Sequence, residues 1–306
     1  MSLTLATAAL PIHADVWRNL GHVLRQMRQA ADRGADVVHF PECCLSGYAG
    51  VDFPSYEGFD WDLLRRSTVA VQELARALGI WVILGSSHPL SAGRKPHNSV
   101  YVIDSQGALR DRYDKQFCAG PATADGDDLA HYTPGSHFCI VEIAGVRCGV
   151  LICHEYRYPE LYRQYKRRGA QVIFHSYHAG NVGPERWAAM HAATGPENHR
   201  FHGGAGTLPG ITMPATMVSM AANNYLWISA SNTSAPQSCW ASFMVRPDGV
   251  ITGRLARNRS GLLISEVDPS VPYYDSTVAW RDRAIDGVFH SGELVDDPRS
   301  RDRSAL

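Results

Sequence analysis

The chain has 306 residues, 45% hydrophobic and 19% charged, with a formal net charge of −1. That length can bury a sizeable core as one α/β or all-β unit. The charge balance points to neither nucleic acid nor a membrane surface, and no apolar run reaches the ~18–20 residues of a spanning helix.

The opening stretch "MSLTLATAALPIHADVW" lacks the basic region of a signal peptide, so a cytoplasmic location is expected. Residues 3–10 alternate as a strand. Residues 15–33 place Val16, Leu20, Val23, Leu24, Met27 and Ala31 on one helical face, with Gly34 as a stop. "ADVVHFPE" (35–42) is a short apolar strand ended by Pro41. Residues 60–78 form a second amphipathic helix, with Leu64, Val71, Leu74 and Leu78 inward and Gly79 closing it. "IWVILGSS" (80–87) is wholly apolar at its start, so this β-α-β-α-β run predicts strands buried beneath helices.

The middle changes character. Residues 98–115 read as two strands joined at Gln-Gly, and 137–153 as two more joined at Ala-Gly. A helix over 158–168 and a strand over 171–176 follow. Residues 179–213 are rich in Gly, Pro and His and show no clear period. A helix near 214–224 then leads to strand 225–231, a hairpin around Pro-Asp-Gly, and a last strand over 261–268. From about 270 the tail is charged. No linker divides the chain, so one domain is expected, with its core at about 3–268. Flanking helices and several hairpins predict a four-layer α-β-β-α sandwich of two mixed sheets.

Seven cysteines occur: Cys43, Cys44, Cys118, Cys139, Cys148, Cys153 and Cys239. The odd number and the lack of a Cys-x-x-Cys spacing argue against a disulfide framework or a zinc knuckle. Three polar residues end apolar strands far apart in sequence: Glu42, Lys115 and Cys153. Strand ends on one edge of a layered sheet converge, and ligand sites favour such edges. Together the three have a coherent chemistry. A partly buried Glu42 would take the thiol proton, Cys153 would attack a carbonyl carbon, and Lys115 with the His154 backbone N–H would hold the oxyanion. Singly, each has an ordinary reading: a core cysteine, a solvated glutamate, a surface lysine.

The stretches "FPECCLSGYAG" (40–50), "RYDKQF" (112–117) and "GVLICHEYRYPELYR" (149–163) together resemble the nitrilase, or carbon–nitrogen hydrolase, superfamily. "HNSVYVID" (97–104), "HYTPG" (131–135), "RRGAQVI" (167–173), "ANNYLWISASN" (222–232) and "RPDGVI" (246–251) support it in the family's order. The resemblance implies the same sandwich fold and a dimer or larger homo-oligomer. It implies Glu42 as general base, Lys115 as oxyanion stabiliser and Cys153 as nucleophile. Many members carry a second glutamate shortly before the Thr-Pro-Gly turn. Here Asp128, with Asp127 beside it, fills that place as the assisting acid, one methylene shorter.

Tyr48, His175, Tyr177 and His178 are expected to bind substrate; a core aromatic is the alternative for Tyr48. The i, i+3 spacing of His175 and His178 would also suit a metal, but no carboxylates cluster with them, so a polar pocket wall is preferred and neither metal nor cofactor is expected. His154 is read as a pocket liner, and Arg157 with Glu160 as a structural ion pair at the elbow. Cys-His-Glu lies between the patterns of amidases or carbamoylases and of nitrilases. The expected activity is therefore hydrolysis of a small amide or N-carbamoyl substrate. A nitrilase and a catalytically silent scaffold are the alternatives. The 179–213 segment is read as a lid, a subunit contact or both.

Overall fold

Two β-α-β runs set the architecture of the computed structural model, which describes residues 2–123, 125–203 and 206–304. Strand β1 (Leu3–Ala9) leads to helix α1 (Val16–Asp32), whose first turn is capped by Asp15 Oδ1 accepting from the Trp17 N–H at 2.8 Å. Strand β2 (Val37–His39) follows, then α2 (Trp61–Leu78), capped by Asp60 and ended by Gly79 at φ 69°. Strand β3 (Trp81–His88) completes the parallel trio. Beyond it, β4 (His97–Ile103) and β5 (Leu109–Asp114) add antiparallel. The helical faces expected from periodicity are those that pack. Val16, Leu20, Val23 and Met27 of α1, with Leu64 and Val71 of α2, cover Ala6, Ala8, Val38, Val82 and Leu84 on the outer sheet face.

The second half repeats the scheme. After the short α3 (Asp128–His131), β6 (Ile140–Ile143) and β7 (Val146–Ile152) form a hairpin. A 3-10 turn over Cys153–Arg157 leads into α4 (Pro159–Arg167), and β8 (Val172–Ser176) lies parallel to β7. Helices α5 (Pro184–Thr194), α6 (Pro196–Phe201) and α7 (Leu208–Asn224) come next, then β9 (Trp227–Ser231), parallel to β8. Strands β10 (Phe243–Val245) and β11 (Ile251–Arg254) extend this sheet, whereas β12 (Gly261–Val267) crosses back to pair with β1. The chain ends through α8 (Arg281–Ile285) and α9 (Pro298–Arg301).

The sheet orders are β12-β1-β2-β3-β4-β5 and β11-β10-β9-β8-β7-β6. Leu3, Leu5 and Val37 of one sheet share a core with Val150, Ile152, Val172 and Ile228 of the other. This is the expected α-β-β-α sandwich. A polar seam also joins the sheets: Thr7 Oγ1 meets Ser229 Oγ at 2.7 Å, and the His39 ring bridges Ser229 Oγ (2.8 Å) and Ser176 Oγ (2.9 Å).

Three boundaries differ from expectation. The strand expected over 35–42 keeps its ladder only over Val37–His39, because the chain turns at Pro41 and Cys43 takes a left-handed φ of 51°. The aperiodic 179–213 segment holds α5 and α6, each opening on a proline in its first turn. Helix α7 starts at Leu208 and runs through Pro214, a residue that reads in sequence as a helix break. The charged tail folds back: Tyr273 packs edge-on against Trp227, its centroid 5.5 Å away, and its N–H donates to Tyr225 Oη at 3.0 Å. Among the described residues no helix is long and apolar enough to cross a membrane.

Candidate active site

Glu42, Lys115 and Cys153 each stand just past a strand end: β2, β5 and β7. The structure brings them together. Lys115 Nζ donates to Glu42 Oε1 at 2.9 Å and to Asp128 Oδ2 at 2.8 Å, and lies 3.3 Å from Tyr48 Oη. Its side chain is 1% exposed and that of Glu42 is 0% exposed, so the charges are compensated by each other rather than by water. Burial opposes the ammonium, but Asp128 and Glu42 outweigh it and hold its pKa well above the ordinary lysine value. Burial likewise opposes ionisation of Asp128, yet Lys115 and the hydrogen bonds from Tyr48 Oη and the Ala119 N–H keep its carboxyl below the usual range.

Glu42 has a defined orientation. Oε1 also accepts from Asn98 Nδ2 at 2.8 Å, and Oε2 accepts from the His178 N–H at 2.9 Å. The Cys153 thiol feels the charge of this carboxylate. Burial and then the Glu42 charge push its pKa well above the ordinary thiol value, opposed by Lys115 and by the same His178 N–H. The resting sulfur is therefore a neutral thiol that needs a base. Cys153 itself takes a left-handed φ of 43° at a sharp strand-to-turn corner, a conformation that costs a non-glycine residue ~1–3 kcal/mol and recurs at functional sites.

Glu155 braces that corner. Its Oε2 accepts from the Ile152 N–H at 2.7 Å, just before the nucleophile. Its Oε1 accepts from Tyr113 Oη at 2.8 Å and the Gln116 N–H at 2.6 Å, on either side of Lys115. Arg157 does not pair with Glu160 among the described residues. It lies over the Tyr156 ring at 4.7 Å and reaches Thr212 Oγ1 at 3.4 Å.

A cavity of about 640 Å³ opens onto Cys153. Tyr48, Asp128, His154 and His178 line it, as do Arg186 and Met190 from α5 and Met213 from α7. Of the four side chains expected to bind substrate, Tyr48 and His178 are therefore at the cavity. His175 and Tyr177 are not. They are fully buried and stacked on each other at 4.3 Å, with His175 Nδ1 on Tyr162 Oη at 2.9 Å and Nε2 on the Cys153 carbonyl at 3.2 Å. The reason is strand alternation: odd positions of β8 face α4, whereas Ser176 and His178 face the seam and the cavity. Among the described residues no group of three His, Cys, Asp or Glu side chains is placed to hold a metal ion.

Sequence reading missed Asn98 and Asp52. Asn98 sits in the "HNSVYVID" stretch that supported the resemblance, so a signal existed. Asp52 carries none; it forms a buried ion pair with His178 Nε2 at 3.0 Å.

The family model described as carbon-nitrogen hydrolase matches residues 4–272. The omega-amidase of Homo sapiens is 29% identical over 205 residues, covering 65% of this chain and 72% of that protein. That of Xenopus tropicalis is 27% identical over 187 residues, covering 60% of this chain and 66% of that protein, so the alignment spans just under two thirds of its length. Among solved structures, a cysteine-to-alanine mutant of the Nesterenkonia AN1 amidase superposes with a TM-score of 0.68 at 20% identity, covering 88% of this chain and 91% of that one. A glutamate-to-glutamine mutant of that amidase, carrying the acetamide moiety of fluoroacetamide on its active-site cysteine, gives 0.68 at 21% identity, covering 87% and 90%. At these identities the structural likeness is one of fold.

Proposed function

The chain belongs to the carbon–nitrogen hydrolase family, and from that premise we propose that it hydrolyses a small non-peptide amide or N-carbamoyl compound through a thioester on Cys153. The observation that carries this reading is the buried Glu42–Lys115–Asp128 charge cluster set against a neutral thiol at the floor of the cavity. A silent scaffold would have no use for three buried charges, each costly to desolvate.

Glu42 Oε2 takes the Cys153 proton as sulfur attacks the carbonyl carbon. The C–O double bond opens to an oxyanion held by Lys115 Nζ and the His154 N–H. An ammonium has three donors, and those of Lys115 are already directed at Glu42, Asp128 and Tyr48 Oη. The Tyr48 contact, at 3.3 Å, is the longest and is the one an oxyanion replaces. Collapse of the intermediate breaks the C–N bond, and protonated Glu42 gives its proton to the leaving nitrogen. Water then loses a proton to Glu42 and attacks the thioester carbon; the C–S bond breaks, the acid is released, and Glu42 returns the proton to the Cys153 sulfur. Asp128 keeps Lys115 charged throughout. The amidase names of the relatives and the cysteine adduct in the solved neighbour support this reading.

The test is an amide, N-carbamoyl and nitrile panel read by ammonia release, with intact-mass detection of the acyl-enzyme. Wild type should turn over an amide or carbamoyl compound and accumulate a Cys153 adduct. Cys153→Ala should be folded and inactive. Glu42→Gln and Lys115→Met should each lose at least ~10²-fold in kcat, the scale of one lost base or oxyanion donor. Turnover of nitriles alone would move the assignment to a nitrilase. A fully active Cys153→Ala would overturn it.

A further inference from the structure

The Asp52–His178 pair lies outside the proton-transfer and oxyanion roles, yet both side chains are almost wholly shielded from solvent. Asp52 Oδ2 accepts from His178 Nε2 at 3.0 Å and from the Tyr48 N–H at 2.9 Å, while Oδ1 accepts from Asn181 Nδ2 at 2.6 Å. One carboxylate thus ties together two loops. The first follows β2 and carries Glu42 and Tyr48. The second follows β8 and carries His178 and Asn181. The His178 ring also packs on the Tyr48 ring at 5.2 Å. Its Nδ1 has no hydrogen-bond partner among the described residues, so all of the ring's hydrogen bonding goes to Asp52.

The main chain of His178 matters more than its ring. Its N–H donates to Glu42 Oε2 at 2.9 Å and is among the groups that favour the Cys153 thiolate. β8 has ended at Ser176, but the chain stays paired on both sides of His178: the Tyr177 N–H donates to the Ser231 carbonyl at 2.8 Å, the Tyr177 carbonyl accepts from the Glu42 N–H at 3.3 Å, the Ala179 N–H donates to Asn232 Oδ1 at 2.8 Å, and the Ala179 carbonyl accepts from the Cys239 N–H at 2.8 Å. The Tyr177–His178 peptide thus meets Glu42 twice, through its carbonyl and its N–H, and the Asp52 anchor on the His178 side chain is what ties this meeting to the loop that carries Tyr48. Burial opposes a charge on His178, but Asp52 and then Glu42 outweigh it and raise its pKa above the ordinary histidine value.

Resting on the proposed reaction, we propose that Asp52 and His178 are positioning residues: their ion pair aims the His178 N–H so that Glu42 Oε2 faces the Cys153 thiol, and thereby sets the rate of thiol deprotonation. Misplacing a base by about 1 Å can cost on the order of 10²-fold.

The test reads Cys153 alkylation by iodoacetamide on the substrate-free enzyme, followed by peptide mapping, with thermal melts as a folding check. Asp52→Asn and His178→Ala should slow Cys153 alkylation at least ~10-fold. His178→Gln, which keeps an N–H donor within reach of Asp52, should stay within about 3-fold of wild type. With a turned-over amide, Asp52→Asn should lower kcat and leave KM within about 3-fold. If Asp52→Asn does not fold, the His178→Ala and His178→Gln pair carries the comparison. Folded variants that alkylate at the wild-type rate, or equal losses in His178→Ala and His178→Gln, overturn the proposal. A failed substrate panel with selective Cys153 alkylation sinks only the substrate reading. A wild-type Cys153 no more reactive than the other thiols sinks both.

Discussion

Glu155 shows how one side chain serves the nucleophile without meeting the cavity. It is fully buried and its pKa is raised to about 7, chiefly by burial, against the hydrogen bonds that favour its charge. Between its ordinary value of 4.5 and about 7 the folded state keeps a proton that the unfolded chain has lost. Its contribution to stability therefore falls as pH rises through that window. Glu155→Gln leaves one oxygen for donors that now use two, so one of the N–H groups at Ile152 or Gln116 is orphaned. The expected cost is ~1–3 kcal/mol by urea denaturation, and the gap to wild type should narrow from pH 5 to pH 8. The kcat of this variant should fall further than its folded fraction, because the same carboxyl joins the Cys153 corner to the Lys115 strand end. A gap that widens with pH would contradict the raised pKa.

At the scale of elements, the site depends on how closely the loop after β2 approaches β3. Gly85 in β3 is where they touch: a Cβ there would lie 2.0 Å from the Pro41 carbonyl oxygen and 2.8 Å from the Cys43 N. Those two residues flank Glu42. Gly85→Ala must push the base-bearing loop away, at ~1–3 kcal/mol of overpacking, and should lower kcat at temperatures where the variant is still folded. Equal activity per folded molecule would show that Glu42 is positioned from elsewhere. The β-α-β runs were legible because both periodicities were clean and Gly34 and Gly79 mark where the two helices stop. The α5–α7 stretch was not legible. The helices open on prolines, α7 runs through Pro214, and almost no residue of α5 or α6 is fully buried to impose a period. What α5 and α7 contribute is part of the cavity wall, through Arg186, Met190 and Met213.

At the scale of the whole molecule, the two sheets are registered by the polar seam as well as by apolar packing. His39 sits in it fully buried, and burial lowers its pKa from 6.5 to about 3. The unfolded chain takes up a proton as pH falls below 6.5 and the folded one does not, so His39 makes the fold lose stability as pH falls from about 6.5 toward 3. This opposes the Glu155 contribution over their shared range. His39→Gln should give a flatter acid slope in urea denaturation at pH 7, 5.5 and 4.5. Some slope should remain from His175, whose buried ring is also held well below its usual pKa. An unchanged slope would mean that His39 accepts a proton in the seam.

What the sequence determined by itself is what neighbouring residues encode. The strand and helix periods, the turn at Pro-Asp-Gly, and the motifs ending in Glu42, Lys115 and Cys153 are all local patterns. So is the place of Asp128 before its turn. What only the tertiary structure decided are relations between segments with no shared signature. Asp52 and His178 are separated by 126 residues, Glu42 and Asn98 by 56, and His39 and Ser229 by 190. The face on which His175 and Tyr177 lie was decided the same way, by the pairing of β8 between β7 and β9 and the covering of one side by α4. Burial makes these choices, because a polar group taken out of water must find its partner wherever the packed sheets bring one.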